Sequence, residues 1–449
     1  MWRRSVCTFA ILTLAVSSIQ LVEPQSAAAQ TLPTVLYKAY QNNPQLNAQR
    51  AYVRQTEEQV NTATAGYLPR VEASASAGPR YTDSRFRETS TQRHERLTTT
   101  SVGVGASQLL FDGFRTPNQV SAAEGKVQAA REVLRLMTQQ ILLDAATAYA
   151  NTIRDAGMAQ LQRHNVEMLQ EQLKQVKQRL VLREVTTTDV SQAETRVAGA
   201  RWQRLAAESA LNASRAAYRR VIGEEPSDPL TPAAPAEAIL PQNQKEAVEA
   251  GLIENPQITA ALLGVDVAAI QVKIAEGALY PTAKLDVAAQ YGWDVTSQVN
   301  RQFSAGAFVT LSVPLYQGGA EYAAIRESKE AVSQKRFDLD RVRDLVRAGV
   351  VEAWGQLAAA KAQIEVAQAQ VMAAESALSG VMQETHAGQR TTLDLLNAQQ
   401  EAVSARMIVV TTQRDRVVTS YNLLAAMGRL SPEALRLSSV AAAPKQPQR

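Results

Sequence analysis

At 449 residues the chain has the length of two or three globular domains, but only 5% of it is aromatic and it is rich in Ala and Gln. That composition describes closely packed helices rather than a bulky core. With 47 basic against 43 acidic residues the formal net charge is +4, which points neither to nucleic acid nor to an acidic partner.

Trp2-Arg3-Arg4, a mostly apolar stretch over 6–22 and Ala27-Ala28-Ala29 before Gln30 predict a signal peptide over 1–29, cleaved on export. The single cysteine, Cys7, leaves with it, so disulfides, thiolate metal sites and a lipid-anchor cysteine are excluded from the mature chain. No later segment reads as about 18 uninterrupted apolar residues, so entry into a membrane would have to be made by strands.

Residues 34–66 carry a helical pattern that Pro69 stops. The period then becomes two: Val71, Ala73, Ala75 and Ala77 alternate with Glu72, Ser74 and Ser76, as in a half-buried strand. A polar loop over 82–100 holds Arg85, Arg87, Arg93 and Arg96, fit either for lipopolysaccharide phosphates or for plain solvation. Alternation resumes at Val102, Val104 and Ala106 and ends at Phe111-Asp112-Gly113-Phe114. A long helical hairpin follows over 117–223, reversing near 183–188. Its outgoing arm carries an apolar stripe through Val127, Ala130, Leu134, Met137, Ile141, Ala145 and Ala148. The stretch 224–245 contains Pro226, Pro229, Pro232, Pro235 and Pro241 and is a linker.

The order then repeats. Asn43-Pro44-Gln45 returns as Asn255-Pro256-Gln257, and Tyr67-Leu68-Pro69 as Leu279-Tyr280-Pro281. Leu285, Val287, Ala289, Tyr291 and Trp293 alternate with Lys284, Asp286, Ala288 and Gln290, and Ala305, Ala307, Val309, Leu311 and Val313 form a second strand. Another hairpin covers 320–428, reversing at Gly388-Gln389-Arg390-Thr391-Thr392. Thr187-Thr188-Asp189 corresponds to Thr392-Leu393-Asp394. The chain is therefore a duplication, with repeats over 30–223 and 246–428 and a tail over 429–449 without a strand.

In each half the outgoing helix spans about 66 residues, roughly 100 Å. The opening and returning helices, about 33 and 35 residues, together match it, so they are expected to stack end to end beside it. The four strands, read as about 10–13 residues, suit a tilted bilayer strand of roughly 9–11. A periplasmic β-sandwich shares the alternation, whereas Tyr291 and Trp293 fit membrane-interface aromatics. Four strands cannot close a membrane barrel, whose smallest forms have about eight, and open edges are not tolerated in lipid. A membrane reading requires two, three or four copies.

Together the paired Asn-Pro-Gln openings, the Leu-Pro and Tyr-Pro strand starts, Leu315-Tyr316-Gln317-Gly318-Gly319 and the tip over 387–399 resemble the TolC family of outer-membrane efflux and secretion ducts. The resemblance covers about 32–430. It implies a mostly α fold with membrane β-strands: an internally duplicated protomer of a homotrimer whose twelve-stranded β-barrel continues into a twelve-helix α-barrel. It implies a passive exit duct in the outer membrane of a Gram-negative bacterium, extending into the periplasm. The duct would serve a tripartite efflux pump or type I secretion system. The implied partners are a periplasmic adaptor, an inner-membrane transporter of RND or ABC type and outer-membrane lipid, with no nucleic acid. At the tips it implies acidic rings in the pore and an arginine latch. The matching positions are Asp394 for the ring and Arg390 with Asp189 and Thr188 for the latch. Two positions depart from the pattern: Asn397 stands where a second ring aspartate is frequent, and Thr385 where a tyrosine link is common. A single acidic ring and a weaker latch are expected.

The residues themselves also read more simply. Thr391 or Thr392 suits a helix N-cap with Asp394 in the first turn, and Asp189 after Thr186-Thr187-Thr188 suits the same. Capping and a ring role are compatible. His94, His164 and His386 have no second ligand at helical spacing. No His-Glu-x-x-His, phosphate-cradling glycine loop or nucleophile elbow occurs, so neither an enzyme nor a cofactor is expected. The competing functional readings are a periplasmic adaptor, which also uses long helical hairpins, and a secreted hydrolase on a helical scaffold.

Overall fold

The computed structural model describes residues 30–85, 92–227, 230–296 and 298–437. The expected signal peptide, Arg87 and the end of the tail lie outside the described residues. The first half contains α1 (Leu32–Asn42), α2 (Pro44–Thr64), β1 (Arg70–Arg85), β2 (Gln92–Phe111), α3 (Arg115–Val181) and α4 (Thr187–Ile222). The second repeats them as α5 (Gln244–Glu254), α6 (Pro256–Glu276), β3 (Thr282–Thr296), β4 (Val299–Ser312), α7 (Ala320–His386) and α8 (Thr392–Met427).

The outgoing helices have 67 residues each and the returning helices 36. The helix that opens each half is not continuous. It breaks at Asn43 and Asn255, because the residue before a proline is pushed out of the helical region. Each asparagine caps the helix that follows: Asn43 Oδ1 accepts from the amides of Gln45 and Leu46, and Asn255 Oδ1 from that of Gln257. The same side chains reach across to the returning helix. Asn43 Nδ2 donates to the Val221 carbonyl at 2.9 Å, and Asn255 Nδ2 to that of Ala426 at 2.8 Å. One motif thus caps a helix, starts it with proline and hooks it to the end of another.

The result is four parallel rods of about 100 Å. α1, α2 and α4 form one, α3 the next, α5, α6 and α8 the third, and α7 the fourth, packed side by side in that order. Among them the stretch 244–279 is long and apolar enough by composition to cross a membrane, which differs from the sequence reading. It is interrupted at Asn255-Pro256, and α6 packs between α3 and α7.

The main core lies where the short helices meet. Leu36, Leu46, Ile141, Leu142, Tyr149, Tyr218, Ile222, Leu424 and Met427 are fully buried there. Leu430 and Leu437 join them, so the beginning of the C-terminal segment is packed against the body. The Tyr149 hydroxyl lies within hydrogen-bond distance of two carbonyls, that of Thr231 at 2.6 Å and that of Gln30 at 2.8 Å, and shares its one proton between them, tying the proline-rich linker to α3. Towards the tips the apolar core thins to two small groups, one around Val166, Leu169 and Leu396 and one of Ala374, Ala402 and Ala405. Alanine in these contacts lets the helices approach closely.

All four strands form one antiparallel sheet in the order β1-β2-β3-β4. β2 and β3 come from different halves, so their pairing joins the repeats. Among the described residues β1 and β4 are each paired on one side only.

Candidate functional site

The strand register sorts the sheet into two faces. Directly opposed residues project on the same side. Ala75, Val102, Tyr291 and Phe303 form one rung, and Ala73, Val104, Ala289 and Ala305 another. Val71, Ala106, Val287 and Ala307 continue this face, followed by Gln108 with Leu285 and Val309, and by Ala283 with Leu311. It holds no charged residue between Ala283 and Trp293. The opposite face carries Glu72, Ser74, Ser76, Lys284, Asp286, Gln290 and Ser304, with Lys284 and Asp286 paired at 2.8 Å. From Ala283 to Trp293 the strand covers about 33 Å, or about 25 Å in height at a tilt of roughly 40°, the apolar band of a membrane barrel.

Tyr291 and Trp293 lie at the outer limit of that band, their rings 4.6 Å apart. A second aromatic group marks the end nearest the helices. An irregularity in β2 between Leu109 and Phe111 places Phe111 opposite Ala283, on the apolar side. There its ring meets Phe114 at 5.3 Å, and Phe114 meets Tyr280 at 6.4 Å, both edge to face. The sequence does not reveal this group, because Phe111 and Phe114 stand at a strand end in one repeat and Tyr280 lies in the other. Gly113, at φ +70, forms the joint, since a Cβ there would lie 2.7 Å from Tyr280 Cβ. The strands run to 16, 20, 15 and 14 residues, longer than their alternation indicated, and β1–β2 continues well beyond the Trp293 rung.

At the opposite end the two helical turns are built alike. Thr391 caps α8: its hydroxyl donates to Asp394 Oδ2 at 2.7 Å, its amide donates to the same oxygen at 3.0 Å, and the Asp394 amide returns a bond at 3.2 Å. Thr186 and Asp189 make the same reciprocal box on α4, at 2.7, 2.8 and 3.3 Å. These bonds hold both carboxyls below the usual aspartate range. At Asp394 the Thr391 hydroxyl is the largest cause and Arg390 adds to it; at Asp189 the Thr186 amide leads and Arg179 contributes. Gly388 and Arg183 supply the left-handed turn positions, at φ +75 and +62.

One ion pair closes each turn, with the charges in opposite order: Arg179 with Glu184 at 3.1 Å, and Glu384 with Arg390 at 2.9 Å. Within one chain, therefore, Arg390 and Asp189 each have another partner. Thr188 is exposed in the first turn of α4, and Thr385 is buried, its hydroxyl donating to the Val381 carbonyl. Asn397 is engaged from the other hairpin, accepting from Arg196 Nη2 at 2.7 Å. The sequence carried no signal for that contact. Between the hairpins, α3, α7 and α8 enclose a groove of about 850 Å³ lined in part by Glu171, Met382, Thr385, Gln399 and Arg406. Among the described residues no three His, Cys, Asp or Glu side chains are gathered to hold a metal ion.

Midway along the rods two bidentate ion pairs fix the linker and the end of α8. Arg416 clasps Glu237 at 2.8 and 3.2 Å, and Arg429 clasps Glu254 at 2.7 and 2.6 Å. Both glutamates are held below their ordinary value, chiefly by the hydrogen bonds from these arginines.

The family model of outer membrane efflux proteins matches residues 35–224 and again 248–429, one match per repeat. The chain is 39% identical to the outer membrane efflux protein BepC of Brucella suis, over 92% of this chain and 88% of that protein. It is 24% identical to the outer membrane protein TolC of Vibrio cholerae, over 90% of this chain and 92% of that protein. The outer membrane channel CmeC of Campylobacter jejuni superimposes with a TM-score of 0.77 at 14% identity, covering 94% of both chains. VceC of Vibrio cholerae gives 0.74 at 19% identity, covering 88% of this chain and 96% of that one. The duplicated helix–sheet–hairpin chain belongs to the outer membrane efflux protein family and is an outer-membrane duct.

Proposed function

We propose that three copies of the chain close into one pore, through which cargo delivered by an inner-membrane transporter leaves the cell passively. The observation that carries this reading is the sheet: one face mostly apolar and uncharged from Ala283 up to Trp293, the other mostly polar, and each edge strand open on its outer side among the described residues. Unpaired strand edges are not tolerated in lipid, and three copies supply about twelve strands, within the range of membrane barrels. The outer faces of α7 and of the α2–α4 rod are likewise unpacked in one chain and become contacts between copies. Related chains named for alkaline protease secretion and for efflux support a periplasmic adaptor and an RND or ABC transporter as partners at the helical tips.

At those tips Asp394 from each copy faces the axis as one acidic ring, with the neutral Asn397 beside it. Arg390 exchanges Glu384 for Asp189 and Thr188 of a neighbouring hairpin when the ring is closed. The adaptor alternative has no use for a two-faced sheet of membrane length. Purified protein added to planar bilayers separates the two: a duct gives stepwise conductance, and an adaptor gives none.

A further inference from the structure

The face of the sheet that carries the apolar stripe does not end at the outer aromatic pair. Trp293 is paired with Thr100 on one side and Arg301 on the other, so Arg301 projects on the apolar side of that rung. β1 and β2 continue outward through Pro79 opposite Thr98 and Tyr81 opposite Arg96 to Asp83 opposite His94. The two-residue period keeps Arg96 on the same side as Thr100, about 13 Å further out. β2 and β4 are separated by β3, which sets the two arginines about 10 Å apart across the sheet.

Both arginines are exposed, and neither has a hydrogen bond or ion pair among the described residues. Between them and the helical end this face carries no charge. Along the described outer part of β1 and β2 its one carboxylate, Asp83, lies 3.3 Å from His94, whose ring stacks on Tyr81. Guanidinium groups bind phosphate through two parallel N–H donors. Tyr81 and Trp293 supply amphipathic rings of the kind that sit at headgroup depth.

We propose that Arg301 and Arg96, with Tyr81 and Trp293, bind a phosphate-bearing headgroup of an outer-leaflet lipid, Arg301 nearer the acyl boundary and Arg96 further out. This rests on the barrel reading, which decides that the apolar face meets lipid. It would hold the barrel at a fixed depth by charge as well as by its aromatic rings.

The test is native mass spectrometry of the detergent-extracted oligomer titrated with diphosphoryl lipid A, with the fully dephosphorylated lipid, and with inorganic phosphate. Retention of the diphosphoryl form alone is expected, undiminished by an equal concentration of free phosphate. Arg96→Gln combined with Arg301→Gln should weaken retention about thirtyfold, from roughly fivefold per arginine near an anionic bilayer surface. Arg80→Gln lies on the polar face of the same hairpin and should change nothing. Equal retention by the double variant, equal loss in Arg80→Gln, equal retention of the dephosphorylated lipid, or displacement by phosphate would each overturn the assignment. Failure of the barrel reading shows separately, as absence of stepwise conductance from the unmodified protein in planar bilayers.

Discussion

At the scale of single residues, Asp394 has one observed role and one proposed role, which substitution can separate. Its carboxylate completes the Thr391 capping box, and in the proposed trimer it supplies the charge of a ring. In Asp394→Asn the new amide oxygen can still accept from the Thr391 amide and hydroxyl, though without the charge that favours the helix start, so thermal stability should fall only slightly. Single channels should nevertheless lose cation selectivity and become less sensitive to block by multivalent cations. Unchanged selectivity in an intact oligomer would make Asp394 a cap only. Thr391→Ala does the converse, costing about 1 kcal/mol of helix stability while keeping the charge.

The carboxylates also set an acid limit. Glu237 and Glu254 have folded pKa values lowered first by hydrogen bonds from Arg416 and Arg429. A group with a lowered folded value contributes stability that is fully present above its ordinary value, here 4.5. That contribution is lost as pH falls through the lowered folded value. Melting temperature should therefore decline as pH falls below 4.5 and through the lowered folded values, and Glu237→Gln should flatten part of the decline in a melt series. A variant with the same pH slope as the unmodified protein would remove Glu237 from this account.

At the scale of elements, the joints between helices decide more than the helices do. Gly428 ends α8 at φ +84, and a Cβ there would lie 2.6 Å from Asn255 Cα. Gly428→Ala should destabilise by roughly 1–2 kcal/mol from the left-handed backbone alone, and more from the clash with the α5–α6 corner. Gly349→Ala, in the middle of α7 with nothing within 4 Å of the new methyl, should instead stabilise the isolated chain by roughly 0.5–1 kcal/mol. If it impairs assembly, the methyl has met a neighbouring copy.

These joints also show how much of the fold was legible. The duplication, the order of elements and the lengths of α3, α4, α7 and α8 follow from periodicity and from repeated motifs, because a long amphipathic helix declares itself locally. Asn43-Pro44-Gln45 and its copy were visible as markers, but their hooks to Val221 and Ala426 join residues far apart in the chain. The burial of Leu430 and Leu437 was illegible for a related reason. Leu430 and Leu437 stand seven positions apart with Pro432, Glu433 and Arg436 between them, a stretch too short and mixed to set a period. At the tip, the reciprocal boxes of Thr186 with Asp189 and Thr391 with Asp394 were readable, because capping is local. Arg196 meeting Asn397 depends on how two hairpins lie against each other.

At the scale of the whole molecule, one chain is an incomplete object. Its sheet has a lipid-suited face but two open edges, and its four rods leave α7 and the α2–α4 rod unpacked on their outer sides. The proposed ring meets both deficits by one operation, placing β4 and α7 of one copy against β1 and the α2–α4 rod of the next. Head-to-tail contacts of this kind close into a ring when the rotation fits. The number of copies is then the quantity on which barrel, α-barrel and gate all depend. Native mass spectrometry of the protein extracted under mild detergent measures it directly. A single assembly of three chains is expected, and a stable monomer or a closed dimer or tetramer would rule out the three-chain pore.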